Sequence, residues 1–123
     1  MANISMYVIE IIGNETDVNT FVRYMKGEEN KQLCGVYTED VYYMYYNNKH
    51  IVNGSCRGSV YTSMLGEKAS YYERLTKEDK NQFTTLEKLS RSLNLKLDVT
   101  GKTDVVGDKE MFIVDNGKIY FEK

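Results

Sequence analysis

The sequence predicts an α+β fold in which helices cover one face of an antiparallel or mixed β-sheet. Several short segments are rich in strand-forming residues, and three others have apolar residues at the spacing of a helix. Asn47-Asn48 and Asn116-Gly117 are tight-turn signals that each separate two strand-like segments. At 123 residues the chain has the length of one domain, so we predict a single globular domain, residues 1–123.

The N-terminal segment predicts a strand followed by a helix. Met6–Ile12, MYVIEII, is apolar on both alternating faces except at Glu10, which favours a central strand that is covered on at least one side. Gly13 and Asn14 mark a turn, and Asn14 or Thr16 can cap the helix. The helix then has apolar residues at positions i, i+3, i+4 and i+7, namely Val18, Phe21, Val22 and Met25.

The middle of the chain predicts strands and then a short helix. Val36–Thr38, Val41–Tyr46 and His50–Val52 are rich in strand formers, with the Asn47-Asn48 turn between the last two. A short helical face follows, capped by Ser59 or Ser55, and consists of Val60, Tyr61, Met64 and Leu65. Residues 66–83 are less regular and predict a loop with a short helix.

The C-terminal third predicts a helix, a strand and a hairpin. Thr84 and Glu87 have the spacing of a capping box, before a helix that ends at Asn94. Its buried stripe is Leu86, Leu89 and Leu93, and the following strand places Leu95, Leu97 and Val99 on one face. The element order β-α-β-β-α-loop-α-β-β-β indicates a ferredoxin-like arrangement with added hairpins.

Three groups of residues and the closing V-D-N-G-K resemble a known family. The groups are Ile9, Ile11, Gly13, Val18, Phe21, Lys26 and Gly27; Gly54, Cys56, Ser59, Val60, Tyr61 and Met64; and Leu86, Ser90, Leu93, Leu95, Leu97, Asp98 and Val99. With these the chain resembles small uncharacterised ferredoxin-like proteins from phages and conjugative elements of Gram-positive gut bacteria. The resemblance implies an origin in a mobile element, where small proteins often act on host machinery or rival defence systems. It implies no known enzymatic activity.

Composition narrows the classes of function. The net charge of −2 argues against a dedicated nucleic-acid binder, which usually carries a basic surplus. No apolar stretch is long enough to span a bilayer and no leader is visible, so we expect a cytoplasmic protein without a membrane partner. In that compartment Cys34 and Cys56 would stay reduced.

The segment Glu39–His50 contains four tyrosines: Tyr42, Tyr43, Tyr45 and Tyr46. Alternation puts Tyr43 and Tyr45 on one side of a strand and Tyr42 and Tyr46 on the other, so we expect one set to pack and the other to be partly open. An open row of tyrosines suits protein binding or base stacking, but tyrosine is also simply a good strand former.

The leading hypothesis is a non-enzymatic protein-binding module that inhibits a host or rival-defence protein, in the manner of an anti-CRISPR protein. Its predicted contact residues are Tyr42, Tyr43, Tyr45, Tyr46, Lys49 and Arg57. A first alternative is a nucleic-acid accessory factor that uses the same tyrosines, with Lys49 and Arg57 at their edge. A homodimer through exposed strand edges is a further expectation.

A second alternative is a cysteine-dependent enzyme centred on Cys56. Residues 54–58 read G-x-C-x-G at a predicted strand-to-helix transition, where the pKa of a thiol would be lowered and His50 would serve as the base. Cys34, His50 and Cys56 would form a metal site only if the fold gathered them. Asp104, Asp108 and Glu110 faintly suggest a calcium loop, but a solvated loop fits better. We therefore predict neither a metal nor a cofactor.

Overall fold

The computed structural model describes residues 4–67, 69–103 and 109–121. The strands are β1 (Ile4–Ile12), β2 (Gln32–Leu33), β3 (Tyr42–Tyr46), β4 (Lys49–Arg57), β5 (Phe83–Thr84), β6 (Lys96–Thr103), β7 (Lys109–Asp115) and β8 (Lys118–Phe121). The α-helices are α1 (Glu15–Met25), α2 (Val60–Ser63), α3 (Ser70–Glu73), α4 (Lys77–Lys80) and α5 (Leu86–Ser92), and Thr38–Asp40 form a 3₁₀ turn.

The main sheet has six strands in the order β3-β4-β1-β6-β7-β8, and every neighbouring pair is antiparallel. The first four of these strands, together with α1 and α5, follow the split β-α-β-β-α-β order of a ferredoxin-like fold. The β7–β8 hairpin extends the sheet beyond β6. The predicted α+β class and its ferredoxin-like arrangement are therefore confirmed. A separate two-stranded sheet pairs β2 and β5 in parallel.

The sheet is covered on one face, as β1 shows. Tyr7, Ile9 and Ile11 are buried and share one core with the apolar faces of α1 and α5. The intervening Met6 and Val8 are exposed. The prediction of cover on at least one side is correct, and on the second face the outward residues Met6 and Val8 of β1 stay exposed.

The predicted turns and caps are largely confirmed. Asn14 caps α1, since its Oδ1 accepts a hydrogen bond from the backbone N of Asp17 at 2.9 Å. Asn47 and Asn48 have φ angles of 54° and 62°, the left-handed values of a two-residue hairpin turn. The predicted stripe is buried: Leu97 and Val99 lie on β6, and Leu95 directly precedes it.

Two boundaries in the middle of the chain differ from prediction. β4 continues to Arg57 instead of ending at Val52. Glycine weakens a strand by propensity, but a Cβ on Gly54 would lie 2.7 Å from the hydroxyl of Tyr7, so glycine lets the two strands pack. Residues 36–38 are not a strand, because Val36 makes a single bridge to Cys56 and the 3₁₀ turn begins two residues later.

The predicted capping box at Thr84 is wrong. Thr84 is buried in β5, and the neighbouring Thr85 caps α5 by accepting from the backbone N of Lys88 at 3.2 Å. Thr84 and Thr85 are adjacent, and either hydroxyl could cap a helix. Because Thr84 pairs with β2 as part of β5, Thr85 becomes the cap. Residues 66–83, predicted as a loop with a short helix, contain two one-turn helices, α3 and α4.

A buried hydrogen bond attaches the last hairpin to α5. Ser90 has no exposed surface, and its Oγ accepts from the backbone N of Gly117 at 2.7 Å. Gly117 has a φ of 83° in the β7–β8 turn. The bond therefore fixes the hairpin, which belongs to the sheet edge, against the helical layer.

We expect Ser90→Ala to lower the free energy of unfolding by about 1–3 kcal/mol, because a buried N–H would lose its partner. The matched control is Ser92→Ala in the same helix, whose exposed hydroxyl donates only a 3.5 Å bond to the carbonyl of Leu89, and which should cost less than about 0.5 kcal/mol. Urea unfolding followed by circular dichroism measures both. Equal effects of the two substitutions would contradict the role of Ser90.

Candidate functional site

The tyrosine-rich strand β3 divides its side chains between the two faces of the sheet. Tyr42, Met44 and Tyr46 pair with Asn53, Ile51 and Lys49 on the face without helices, and Tyr46 is 71% exposed. Tyr43 and Tyr45 lie on the helix-covered face, opposite Val52 and His50. The predicted alternation is therefore observed, but only Tyr43 of the second set is half-buried, since Tyr45 remains exposed.

The face without helices carries apolar side chains well beyond the tyrosines. We call it the open face and define its apolar part as Met6, Val8 and Ile12 on β1, Tyr42, Met44 and Tyr46 on β3, Ile51 on β4, Met111 and Ile113 on β7, and Tyr120 on β8. Met6, at the centre of the sheet, is 63% exposed. The sequence reasoning missed the residues outside β3, although the two-sided apolar pattern of MYVIEII was the signal that could have found them.

The open face is more positive than the chain as a whole. Its lysines are Lys49, Lys96, Lys102, Lys109 and Lys118, and its carboxylates are Glu10, Asp98 and Asp115. Leaving aside Arg57, which pairs with Ile4 at the far end of β4, five lysines against three carboxylates leave +2 on this face, whereas the whole chain carries −2. Lys49 is partly neutralised, because its Nζ lies 3.8 Å from Glu10 Oε1, so the surplus lies on β6, β7 and β8.

Of the two predicted cationic contacts, only Lys49 lies beside the tyrosines. Lys49 is directly opposite Tyr46. Arg57 is at the other end of β4, about 26 Å away for eight residues of strand. Its guanidinium carbon lies 5.5 Å from the ring centroid of Tyr71, outside the sheet. The structure therefore does not bring Arg57 into one site with Tyr42–Tyr46.

On the helix-covered face, the end of the β3–β4 hairpin holds a small polar cluster. The hydroxyl of Tyr43 and Nδ1 of His50 are 2.6 Å apart, and the ring of Tyr45 lies 4.7 Å from the imidazole. Glu15 completes the lining of a shallow pocket. Burial raises the pKa of Tyr43, with smaller contributions from Glu15 and Tyr45. The Tyr43–His50 bond fixes the hairpin side chains.

Cys56 lies within β4 and not at the strand-to-helix turn. It has no exposed surface, and burial raises the pKa of its thiol to about 11, although a hydrogen bond with Ser63 acts in the opposite direction. The expected lowering of this pKa is therefore wrong, because the strand extends past residue 56 and faces the thiol into the core. His50 is about 20 Å away, six residues along the same strand.

The other residues considered as metal ligands are also dispersed. Cys34 packs with Ala69 and Tyr72 in a second small cluster, and burial raises the pKa of its thiol to about 11. Within the ranges that the structure describes, no three His, Cys, Asp or Glu side chains are grouped for a metal ion. Of the faint calcium motif, Asp104 and Asp108 lie outside the described residues. Glu110 accepts hydrogen bonds from the backbone N of Val60 and of Tyr61.

Comparison with protein-family models, with curated proteins and with solved structures finds no match. None of the helices in the described part of the chain is long and apolar enough to cross a membrane. The resemblance to mobile-element proteins stays a prediction.

We expect both thiols to react slowly with a disulfide reagent in the folded protein at pH 8. The thiolate is the reactive form, and burial both raises the pKa of each thiol and blocks access. Reaction in urea provides the control, since unfolding should release two thiols that react at the rate of free cysteine. A Cys56 that reacts in the folded chain as fast as a free thiol would contradict this assignment and revive the cysteine-enzyme alternative.

Proposed function

We propose that the protein is a non-enzymatic binding module whose open face docks on an acidic surface of another protein. The observation that carries the proposal is a continuous set of exposed apolar side chains across the sheet, bordered by a surplus of lysine. Large contiguous apolar patches are uncommon on proteins that act alone, and they mark interaction sites.

The size of the open face suits a protein partner. Six strands spaced about 4.8 Å apart and up to nine residues long give a face of roughly 24 by 30 Å, or about 700 Å². One side of a standard protein–protein interface buries about 800 Å². Tyrosine and methionine are enriched at such interfaces. On β1, β3 and β8 they supply five exposed side chains of the open face: Met6, Tyr42, Met44, Tyr46 and Tyr120.

The charge of the open face selects the kind of partner. Lysines on β6, β7 and β8 lie beside the apolar centre of the open face. A partner that covers the apolar side chains could therefore pair its own carboxylates with these lysines. Two copies of this protein placed face to face would each bring a lysine surplus to the interface, and neither would supply an acidic patch. A symmetric face-to-face homodimer is therefore disfavoured relative to an acidic partner.

The arrangement favours protein over nucleic acid. Sheets that bind single strands stack bases on aromatic residues of central strands. Here the outward residues of the central strand β1 are aliphatic apart from Glu10, and Tyr42 and Tyr46 lie on the edge strand. The lysine surplus begins three strands away on β6, about 14 Å from the tyrosines, and Lys49, which lies opposite Tyr46, is paired with Glu10. Stacking on Tyr42 and Tyr46 would therefore be separated from phosphate contacts on β6–β8, where Tyr120 is the single aromatic side chain described on this face.

The narrower form of the proposal is an inhibitor of a host or rival-defence protein. It rests on the sequence resemblance to proteins of mobile elements, and the open face supplies the docking surface that such an inhibitor needs. Occupying a partner's acidic surface would suffice for inhibition without any chemical step.

We expect a partner retained from a Gram-positive bacterial lysate to bind Tyr46→Ser and Lys102→Glu at least tenfold more weakly than the unchanged protein, a loss of about 1.4 kcal/mol or more. The matched controls are Tyr45→Ser, the neighbouring exposed tyrosine on the other face, and Lys77→Glu in α4. Both controls should retain the partner, as measured with the purified pair by calorimetry.

Retention that is insensitive to Tyr46→Ser and Lys102→Glu would contradict the proposal. So would tight binding of a labelled 30-nucleotide single strand that falls steeply with salt and is lost in Tyr46→Ser, since that result would favour the nucleic-acid alternative.

A further inference from the structure

A pocket of about 460 Å³ lies on the other side of the sheet from the open face, next to the edge strand β8. Leu65 and Ile119 form its apolar floor, and Tyr61 and Phe121 form aromatic walls. Two carboxylates, of Glu67 and Glu87, complete the lining beside Gly66 and Ala69. Its volume is in the range of small-ligand sites.

The aromatic walls are held in place while their faces stay accessible. Phe121 is 62% exposed, but its ring packs edge-on against buried Phe112 at a centroid distance of 5.3 Å. The ring centroid of Tyr61 lies 6.1 Å from that of Phe121, and Tyr61 is also exposed. Two neighbouring π faces with exposed area are the surroundings that attract an organic cation.

The two carboxylates differ in their partners. Glu67 Oε1 lies 3.7 Å from Nζ of Lys88, which is also bonded to the hydroxyl of Tyr72 at 2.7 Å. Glu87 is half-buried and has no side-chain hydrogen bond or ion pair with any residue that the structure describes. A cation in the pocket could therefore contact Glu87 without displacing an ion pair made by a described residue.

Glycine at position 66 keeps the pocket open next to Glu87. A Cβ at this position would lie 2.9 Å from Ile119 Cδ1 and 3.4 Å from Glu87 Oε2. Any side chain would therefore fill the space between the apolar floor and the carboxylate. The absence of a side chain leaves room for a ligand that touches both.

We propose that this pocket binds an organic cation with an apolar stem, namely a primary ammonium or a guanidinium on a short alkyl chain. The stem would lie on Leu65 and Ile119, and the charged head would lie between Glu87 and the rings of Tyr61 and Phe121. An anion would be repelled by Glu87, whereas the charge of Glu67 is offset by its ion pair with Lys88. A small free amine and the lysine or arginine side chain of a polypeptide share this chemistry.

The inference does not rest on the proposed function. Ile119 and Phe121 pair with the inward-facing Val114 and Phe112, so the pocket and the open face are on opposite sides of the sheet. Either surface can therefore fail its test while the other passes.

Titration of the full chain with n-butylammonium chloride, followed by NMR of the methyl groups, tests the pocket. We expect saturable shifts at Leu65 and Ile119, and at least tenfold weaker binding of neutral n-butanol. Glu87→Gln should weaken ammonium binding at least fivefold, and Phe121→Leu, which keeps an apolar side chain but removes the π face, at least twofold. The control Glu78→Gln, an exposed carboxylate in α4, should leave binding unchanged.

A capped lysine tripeptide distinguishes the two sources. Tighter binding of the peptide than of butylammonium would assign the pocket to a polypeptide side chain, and tighter binding of butylammonium would assign it to a small amine. Absence of binding by both, or equal affinity for butanol and butylammonium, would overturn the proposal. Unchanged binding in both Glu87→Gln and Phe121→Leu would overturn it as well.

Discussion

The burial of only one face of β1 is the constraint on which the rest of the structure depends. Tyr7, Ile9 and Ile11 pack under α1 and α5 and form the centre of the core. Burying a large apolar side chain contributes about 1.5–3 kcal/mol, so this face alone gives a strong reason for β1 to be central. On the other face, Met6 and Val8 have comparable apolar surface that the chain leaves in water. A binding partner that covers this surface would gain the free energy of burying it.

Exposed apolar strands invite self-association, and the lysines of the sheet oppose it. Charged side chains on a sheet disfavour pairing between copies, because like charges would be brought together and partly desolvated. On β6–β8 the lysines stand on the same face as Met111 and Ile113. The β3 edge lacks this protection, since Tyr42–Tyr46 contains no charge and only Lys49 across the hairpin is cationic. The same charges that limit self-association also favour an acidic partner.

The sequence predicted the parts of the fold that local interactions determine. The two hairpin turns need left-handed backbone, which asparagine and glycine tolerate better than most residues. Asn47-Asn48 and Asn116-Gly117 therefore located both turns in the sequence. The extension of β4 through Gly54 could not, because it depends on the contact with Tyr7 forty-seven residues earlier. Glu87 and Phe121 meet in one pocket only after α5 and β8 have packed, so their partnership has no local signal. The burial of Cys56 likewise follows from the length of β4.

Strand β8 connects the two candidate surfaces, because its adjacent residues point to opposite sides of the sheet. Tyr120 belongs to the open face, and Phe121 is a wall of the pocket. An edge strand is paired on one side only, so its position needs a second restraint. The bond from Gly117 N to Ser90 Oγ supplies one by attaching the β7–β8 turn to α5, the helix that also carries Glu87. A helix, a turn and an edge strand thus place the aromatic wall relative to the carboxylate, and the same bond restrains the strand that carries Tyr120.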